Sequence, residues 1–223
     1  GLRGLGDHST FQYNLVKNCY DVNANHDDGF QSWSRGPAGV GTGEVVGIVL
    51  RGNTIINYED AAQPHRGALQ GIGCFDGMFV DWIIENNVII VDHYHGITLS
   101  GARGCRIVNN TVHDPNDQRP GPAAIRIGKH KNGTASAGCT VRNNLTSALS
   151  VQPGEDMTAD HNLIVADPNA VFVDAAARDL RLKKGSPAID AGVADLTPKT
   201  DIAGRARPQG GAVDLGAYES SAD

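Results

Sequence analysis

The chain lacks any run of about 18 apolar residues, so no segment is suited to cross a bilayer as a helix. Aromatic residues make up only 5% of its 223 residues, which argues against a helical bundle packed on large side chains. No Cys-x-x-Cys pair occurs among Cys19, Cys74, Cys105 and Cys139, so the chain has no zinc-ribbon or redox-dithiol signature. An excess of positive charge is also missing. The net charge is −6 and the isoelectric point about 5.7, which argues against a general nucleic-acid binder. The opening GLRGLGDHST has no apolar stretch of the signal-peptide kind, so the expectation is a removed signal or a fragment of a longer chain.

What is abundant is glycine, 28 residues of it, together with regularly placed asparagine. Six segments align on a shared Asn: YNLVKN, GNTIIN, NNVIIV, NNTVHD, NNLTSA and HNLIVA. The aligned residues are Asn14, Asn53, Asn87, Asn110, Asn144 and Asn162, at intervals of 39, 34, 23, 34 and 18 residues. A β-prone stretch precedes and follows each one. Variable spacing around a minimal period of roughly 20 residues is the mark of a stacked repeat whose turns carry insertions. Asn suits such a turn because it tolerates left-handed backbone angles and its amide both donates and accepts. Stacked, these amides would form a ladder.

A third strand is expected in each repeat: DGFQSW (28–33), GALQGI (67–72), HGITLS (95–100), AAIRIG (123–128), and weaker ALSV (148–151) and AVFV (170–173). Long loops flank it at 20–27, 58–66 and 114–122 on one side, and at 34–44 and 129–138 on the other. The expected fold is therefore all-β, a right-handed parallel β-helix of about six coils over residues 1–173. Residues 174–223 are less periodic and are expected to cap the last coil. A β-sandwich would need antiparallel hairpins, for which the Asn repeat gives no reason. No cap precedes Ser9, so the first coil is expected to need a partner chain or a further segment over its edge.

The Asn-ladder coils and the ending SPAIDAG…DLGAYE resemble the pectate-lyase-like superfamily of right-handed parallel β-helix proteins. The ending is similar to that of many secreted bacterial β-helix proteins. The resemblance covers essentially the whole chain and implies a substrate groove along the third-strand sheet, walled by the variable loops. It also implies a polysaccharide as substrate and a secreted, periplasmic or cell-surface location. It does not separate lyases, hydrolases, epimerases and fibre modules that share the scaffold.

Polar residues gather where that groove would lie: His26, Asp27 and Asp28; His65 and Arg66; His93, Tyr94 and His95; Arg126, Lys129, His130 and Lys131. Period-2 alternation sets Gln31, Leu69, Thr98 and Arg126 outward and Phe30, Ala68, Ile97 and Ile125 inward. Strict alternation also turns Asp28 and His95 inward, unless the chain bends where loop meets strand. A lyase acting on a uronic-acid polymer must neutralise the uronate carboxylate, remove the proton beside it and assist the leaving oxygen. Arg66, Arg126 and Lys129 suit the first task. His95 or Tyr94 suits proton transfer. Asp27 and Asp28 would orient His or Arg, or offer oxygen ligands to Ca²⁺; no cofactor is otherwise required. His26, Gln31, Trp33, His65, His93, Thr98, His130 and Lys131 are the candidates for holding the sugar chain.

HDDG, YHGITLSG and IRIGK also resemble the order of motifs in polygalacturonase-type hydrolases. The intervening coil, HRGALQG, lacks the Asp pair that such hydrolysis needs. Hydrolysis and uronate epimerisation are therefore alternatives to elimination, and a non-catalytic glycan-binding or tailspike-type module is a third.

Overall fold

The computed structural model describes residues 1–116 and 118–221; Asp117 of the 114–122 loop, and residues 222 and 223, lie outside it. Strand accounts for 39% of the chain and helix for 2%, so the molecule is all-β. Three six-stranded parallel sheets carry the structure, and the chain visits them in rotation. The first sheet takes the strands before each aligned Asn: Thr10–Gln12, Val49–Arg51, Ile83–Glu85, Arg106–Val108, Thr140–Arg142 and Thr158–Asp160. The second takes those after it: Leu15–Lys17, Thr54–Ile56, Val88–Ile90, Thr111–His113, Leu145–Thr146 and Leu163–Ile164. The third takes Leu2–Arg3, Asp28–Trp33, Gln70–Asp76, His95–Ser100, Ala124–Gly128 and Ala148–Val151. Such rotation among parallel sheets is compatible with a parallel β-helix.

The six aligned asparagines do form a ladder. Each Nδ2 donates to the Oδ1 of the next Asn at 2.8–3.0 Å, from Asn14 through Asn53, Asn87, Asn110 and Asn144 to Asn162. The backbone N–H of each donor residue reaches the same Oδ1. From Asn53 onward, Nδ2 also donates to a backbone carbonyl one strand back, such as Leu50 for Asn87 and Ile84 for Asn110. The left-handed backbone expected at these asparagines falls one residue earlier: Tyr13, Gly52, Asn86, Asn109, Asn143 and His161 have φ between 49° and 62°. One left-handed residue makes the corner, and the next returns to extended geometry with its amide turned inward.

Inside, the sheets present stacked apolar columns. Phe30, Ile72, Ile97 and Ile125 pair in register on the third sheet and face Leu50, Ile84 and Ile107 of the first and Ile55, Ile89 and Val112 of the second. Trp82 is fully buried at the next corner, between Phe30 and Phe79, with its Nε1–H on the Val45 carbonyl at 2.8 Å.

The C-terminal region does not cap the last circuit as expected; it forms a strap along the side of the stack. The segment 170–173 is likewise no third strand. Pro168–Val171 is a helical turn and Phe172–Asp174 pairs antiparallel with Asp179–Leu182. Val171, Phe172, Leu180, Ala188, Leu215 and Ala217 pack on Ile56, Val88, Ile90 and Leu145 of the second sheet. The reason is visible in VII (88–90), which is apolar at every position and so needs cover on both faces. The corner asparagines hold the strap by Nδ2: Asn86 on the Thr200 carbonyl, Asn109 on Asp214 and Gly216, Asn143 on Val193. Each Asn-Asn pair thus divides its work, the first residue binding the strap and the second the ladder. An ion pair between Arg207 and Glu219, both essentially fully buried, knits the strap together.

Asn110→Ala leaves several buried groups without partners and should lower stability by about 3 kcal/mol or more in chemical denaturation. Asn109→Ala should act differently, loosening the strap and exposing residues 186–221 to limited proteolysis, while Asn14→Ala at the exposed end of the ladder costs little.

Candidate functional site

The third sheet departs from simple alternation at its entry, and that departure builds the site. Gly29, Gly71 and Gly96 open successive strands in positions where a Cβ would strike the interior, 2.5 Å from Ile55, 2.6 Å from Ile89 and 2.4 Å from Val112. With these glycines facing in, the residues before them, Asp28, Gln70 and His95, face out. The register confirms an inserted residue: His95 pairs with Ala124, yet Ile97 already pairs with Ile125. The bend left open by strict alternation is therefore present.

In the second repeat the third strand is Gln70–Asp76, not 67–72, so Ile72 takes the inward place and Gly73 the outward place assigned to Ala68 and Leu69. Leu69 is buried. The repeat aligns on Gly71 rather than Gly67. The outward column then runs Arg3, Gln31, Gly73, Thr98, Arg126, Ser150.

Asp28 lies under this surface, 8% exposed, with Oδ2 3.0 Å from His26 Nδ1. Its Oδ1 and the Oε1 of Gln70 have no partner, and both lie within 3 Å of where a Cβ on Gly73 would stand, at 2.1 and 2.9 Å. Glycine at 73 is what leaves room for the carboxylate. Two buried acceptors without partners thus lie together just beneath the surface of the third sheet. Burial pushes the Asp28 carboxyl up to about 6, against the opposing pull of His26. His95 places Nδ1 2.8 Å from Thr98 Oγ1, and burial, helped by His93 and Arg126, pushes it down to about 4. His93 is lowered too, mainly by burial. Phe75 stands between the imidazoles, with ring centroids 4.7 Å from His95 and 6.2 Å from His26.

One cleft of about 320 Å³ brings together His26, Gln31, Trp33, His95 and Lys131 from the expected set. Asp27 and Asp28 line an adjoining recess with His26 and Gln31. His93 and Tyr94 stack against His95, and Arg126 lies over the Tyr94 ring at 5.6 Å. Others are placed elsewhere. His65 packs on Tyr20 and Arg66 over Tyr58, in the loop wall. Lys129 is exposed outside the cleft lining, and His130 is buried within its own loop, where Nδ1 accepts from Asn132 N–H. Lys131 is ion-paired with Asp76 at 2.7 Å. Among the described residues no group of three or more His, Cys, Asp or Glu side chains is arranged to hold a metal ion, and Oδ2 of Asp28 is engaged by His26. All four cysteines are free thiols, including the stacked Cys105 and Cys139.

Sequence reasoning missed Gln70, Phe75 and Asp76, all lining the cleft. The GxG run Gly71-Ile72-Gly73, parallel to Gly29-Phe30 and Gly96-Ile97, was the signal that would have found them. A larger recess of about 860 Å³ lies in the strap, but its carboxylates Asp190, Asp201 and Glu219 are taken by the strap's own backbone N–H groups.

The sequence matches no protein-family model and no curated protein.

These shifts are testable by side-chain NMR titration. His95 should titrate near 4 and move upward in Arg126→Ala, which removes a nearby cation; Asp28 should titrate near 6 and move further up in His26→Ala, which removes its stabilising partner.

Proposed function

We propose that this chain is a right-handed parallel β-helix of the pectate-lyase-like type that cleaves a uronic-acid polysaccharide by β-elimination in the third-sheet groove. The observation that carries this reading is a pair of titratable groups with their pKa values pushed apart, His95 in the cleft and Asp28 in the recess adjoining it. His95, lowered to about 4, is a neutral base at mildly acidic pH; Asp28, raised to about 6, still holds a proton there. Thr98 Oγ1 occupies His95 Nδ1, which directs Nε2 to the substrate.

Elimination uses these groups in order. Arg126 neutralises the uronate carboxylate and acidifies the C5 proton. His95 Nε2 takes that proton, the C4–O4 bond breaks as the C4–C5 double bond forms, and Asp28 gives its proton to the departing oxygen. Glycoside hydrolysis is less well supported, because it needs two carboxyl groups about 5 to 10 Å apart across the bond. Asp76 lies roughly 16 Å along the strand from the level of Asp28, since it pairs with Trp33, five residues beyond Asp28 at about 3.3 Å each. It is also held by Lys131. A polymeric substrate of this kind places the protein outside the cytoplasm, secreted, periplasmic or at the cell surface.

The test is incubation with a panel of uronic-acid polymers, followed by ultraviolet absorbance of the unsaturated product. His95→Ala should lower kcat/KM by about 100-fold or more. The pH profile should rise through about 4 as His95 loses its proton and fall through about 6 as Asp28 loses its own, and Asp28→Asn should abolish the upper limb. New reducing ends without unsaturation would move the assignment to hydrolysis; inverted uronate without cleavage would move it to epimerisation.

A further inference from the structure

We infer that Arg3 is a second carboxylate-binding residue, and that Arg3 and Arg126 together form a two-point clamp selecting long stretches of polyanion. The inference rests on reading the groove as a polyanion site but not on elimination chemistry.

Both arginines belong to the outward column of the third sheet, in register through Gln31, Gly73 and Thr98. Four strand spacings of about 4.8 Å separate them, about 19 Å along the stack. Each guanidinium lies over an aromatic ring: Arg3 over Trp33, at the end of the neighbouring strand, at 4.7 Å, and Arg126 over Tyr94, in the loop before His95–Ser100, at 5.6 Å. Stacking satisfies the face of the guanidinium and leaves its N–H edges free for a bidentate acceptor. Five other arginines, Arg51, Arg103, Arg142, Arg181 and Arg207, are engaged by a carboxylate, whereas Arg66, over Tyr58 at 5.7 Å, shares the ring-stacked arrangement but lies in the loop wall outside the cleft. Neither Arg3 nor Arg126 has a carboxylate partner among the described residues.

The groups between the two cations are those of the site: Gln31, Gly73 with Asp28 beside it, and Thr98 under His95. Arg3 also shares the recess that holds Asp27 and Asp28. A residue of an extended uronan adds about one strand spacing of length, so a chain lying along the stack meets about one sugar per circuit. Its carboxylates reach both arginines only when it is about five residues long. Shorter oligomers engage one cation at a time. The ligand is therefore a linear polyanion carrying an acidic group at each end of that span.

The experiment is a binding series with oligogalacturonates and oligoalginates of increasing length, in His95→Ala so that no ligand is consumed, read by calorimetry and by tryptophan fluorescence. The chain has two tryptophans and Trp82 is fully buried, so a ligand-linked change reports Trp33. Expected is a step of about tenfold or more in affinity at the length that spans both arginines. The step should weaken with added salt, and the fluorescence change should report engagement of Arg3 and be lost in Arg3→Ala. Arg3→Ala and Arg126→Ala should each remove the step while leaving the binding of short oligomers to the remaining cation. A smooth rise of affinity with length that ignores Arg3→Ala overturns the clamp, as does equal binding of neutral oligosaccharides or no binding at all. Unsaturated product without the step would sink the clamp and leave elimination standing; the step without product would do the reverse.

Discussion

Everything in this structure depends on the amide ladder that runs from Asn14 to Asn162. Each interior Oδ1 receives two N–H groups from the neighbouring Asn, and from Asn53 onward each Nδ2 reaches back to a backbone carbonyl as well. Broken in the interior, these bonds leave buried polar groups that water cannot reach, so slippage between circuits is strongly disfavoured. The ladder thus sets the register of circuits whose intervals vary from 18 to 39 residues. It also frees the loops opposite the ladder corner to vary in length without disturbing the stack.

With register set, groups far apart in the chain become neighbours. His26, Asp28, Gln70 and His95 come together on the third sheet because three of its strands enter through Gly29, Gly71 and Gly96, which have no room for a side chain. The glycines turn the preceding residue outward, leaving Asp28 and Gln70 buried and His95 half-buried. That burial is the main cause of the opposed shifts of Asp28 and His95, since each ionisable group is withdrawn from water. Local backbone geometry and electrostatics are here one feature.

The strap follows from the same corners. Asn86, Asn109 and Asn143 stand at left-handed positions, and their amides point away from the core to hold the C-terminal segment. Where the corner residue is Tyr13, Gly52 or His161, no such bond to the strap is formed among the described residues. Covering the flank rather than the end lets the second sheet be apolar on both faces over its middle circuits.

Sequence alone determined the all-β class, the six ladder asparagines, most third strands and the concentration of His, Asp and Arg beside them. These are periodic or compositional features, and a repeat displays them without any knowledge of contacts. Three things were decided only by the tertiary structure. The left-handed corner fell on the residue before each ladder Asn, because a turn needs one such residue and the inward amide must follow it. The third strand of the second repeat shifted to Gln70–Asp76, because the choice between Gly67 and Gly71 is made by packing against Ile89 and Gly96. The strap chose the side of the stack over its end, because burial of an apolar outer face is a property of the assembled sheet, which no single strand carries in its own sequence.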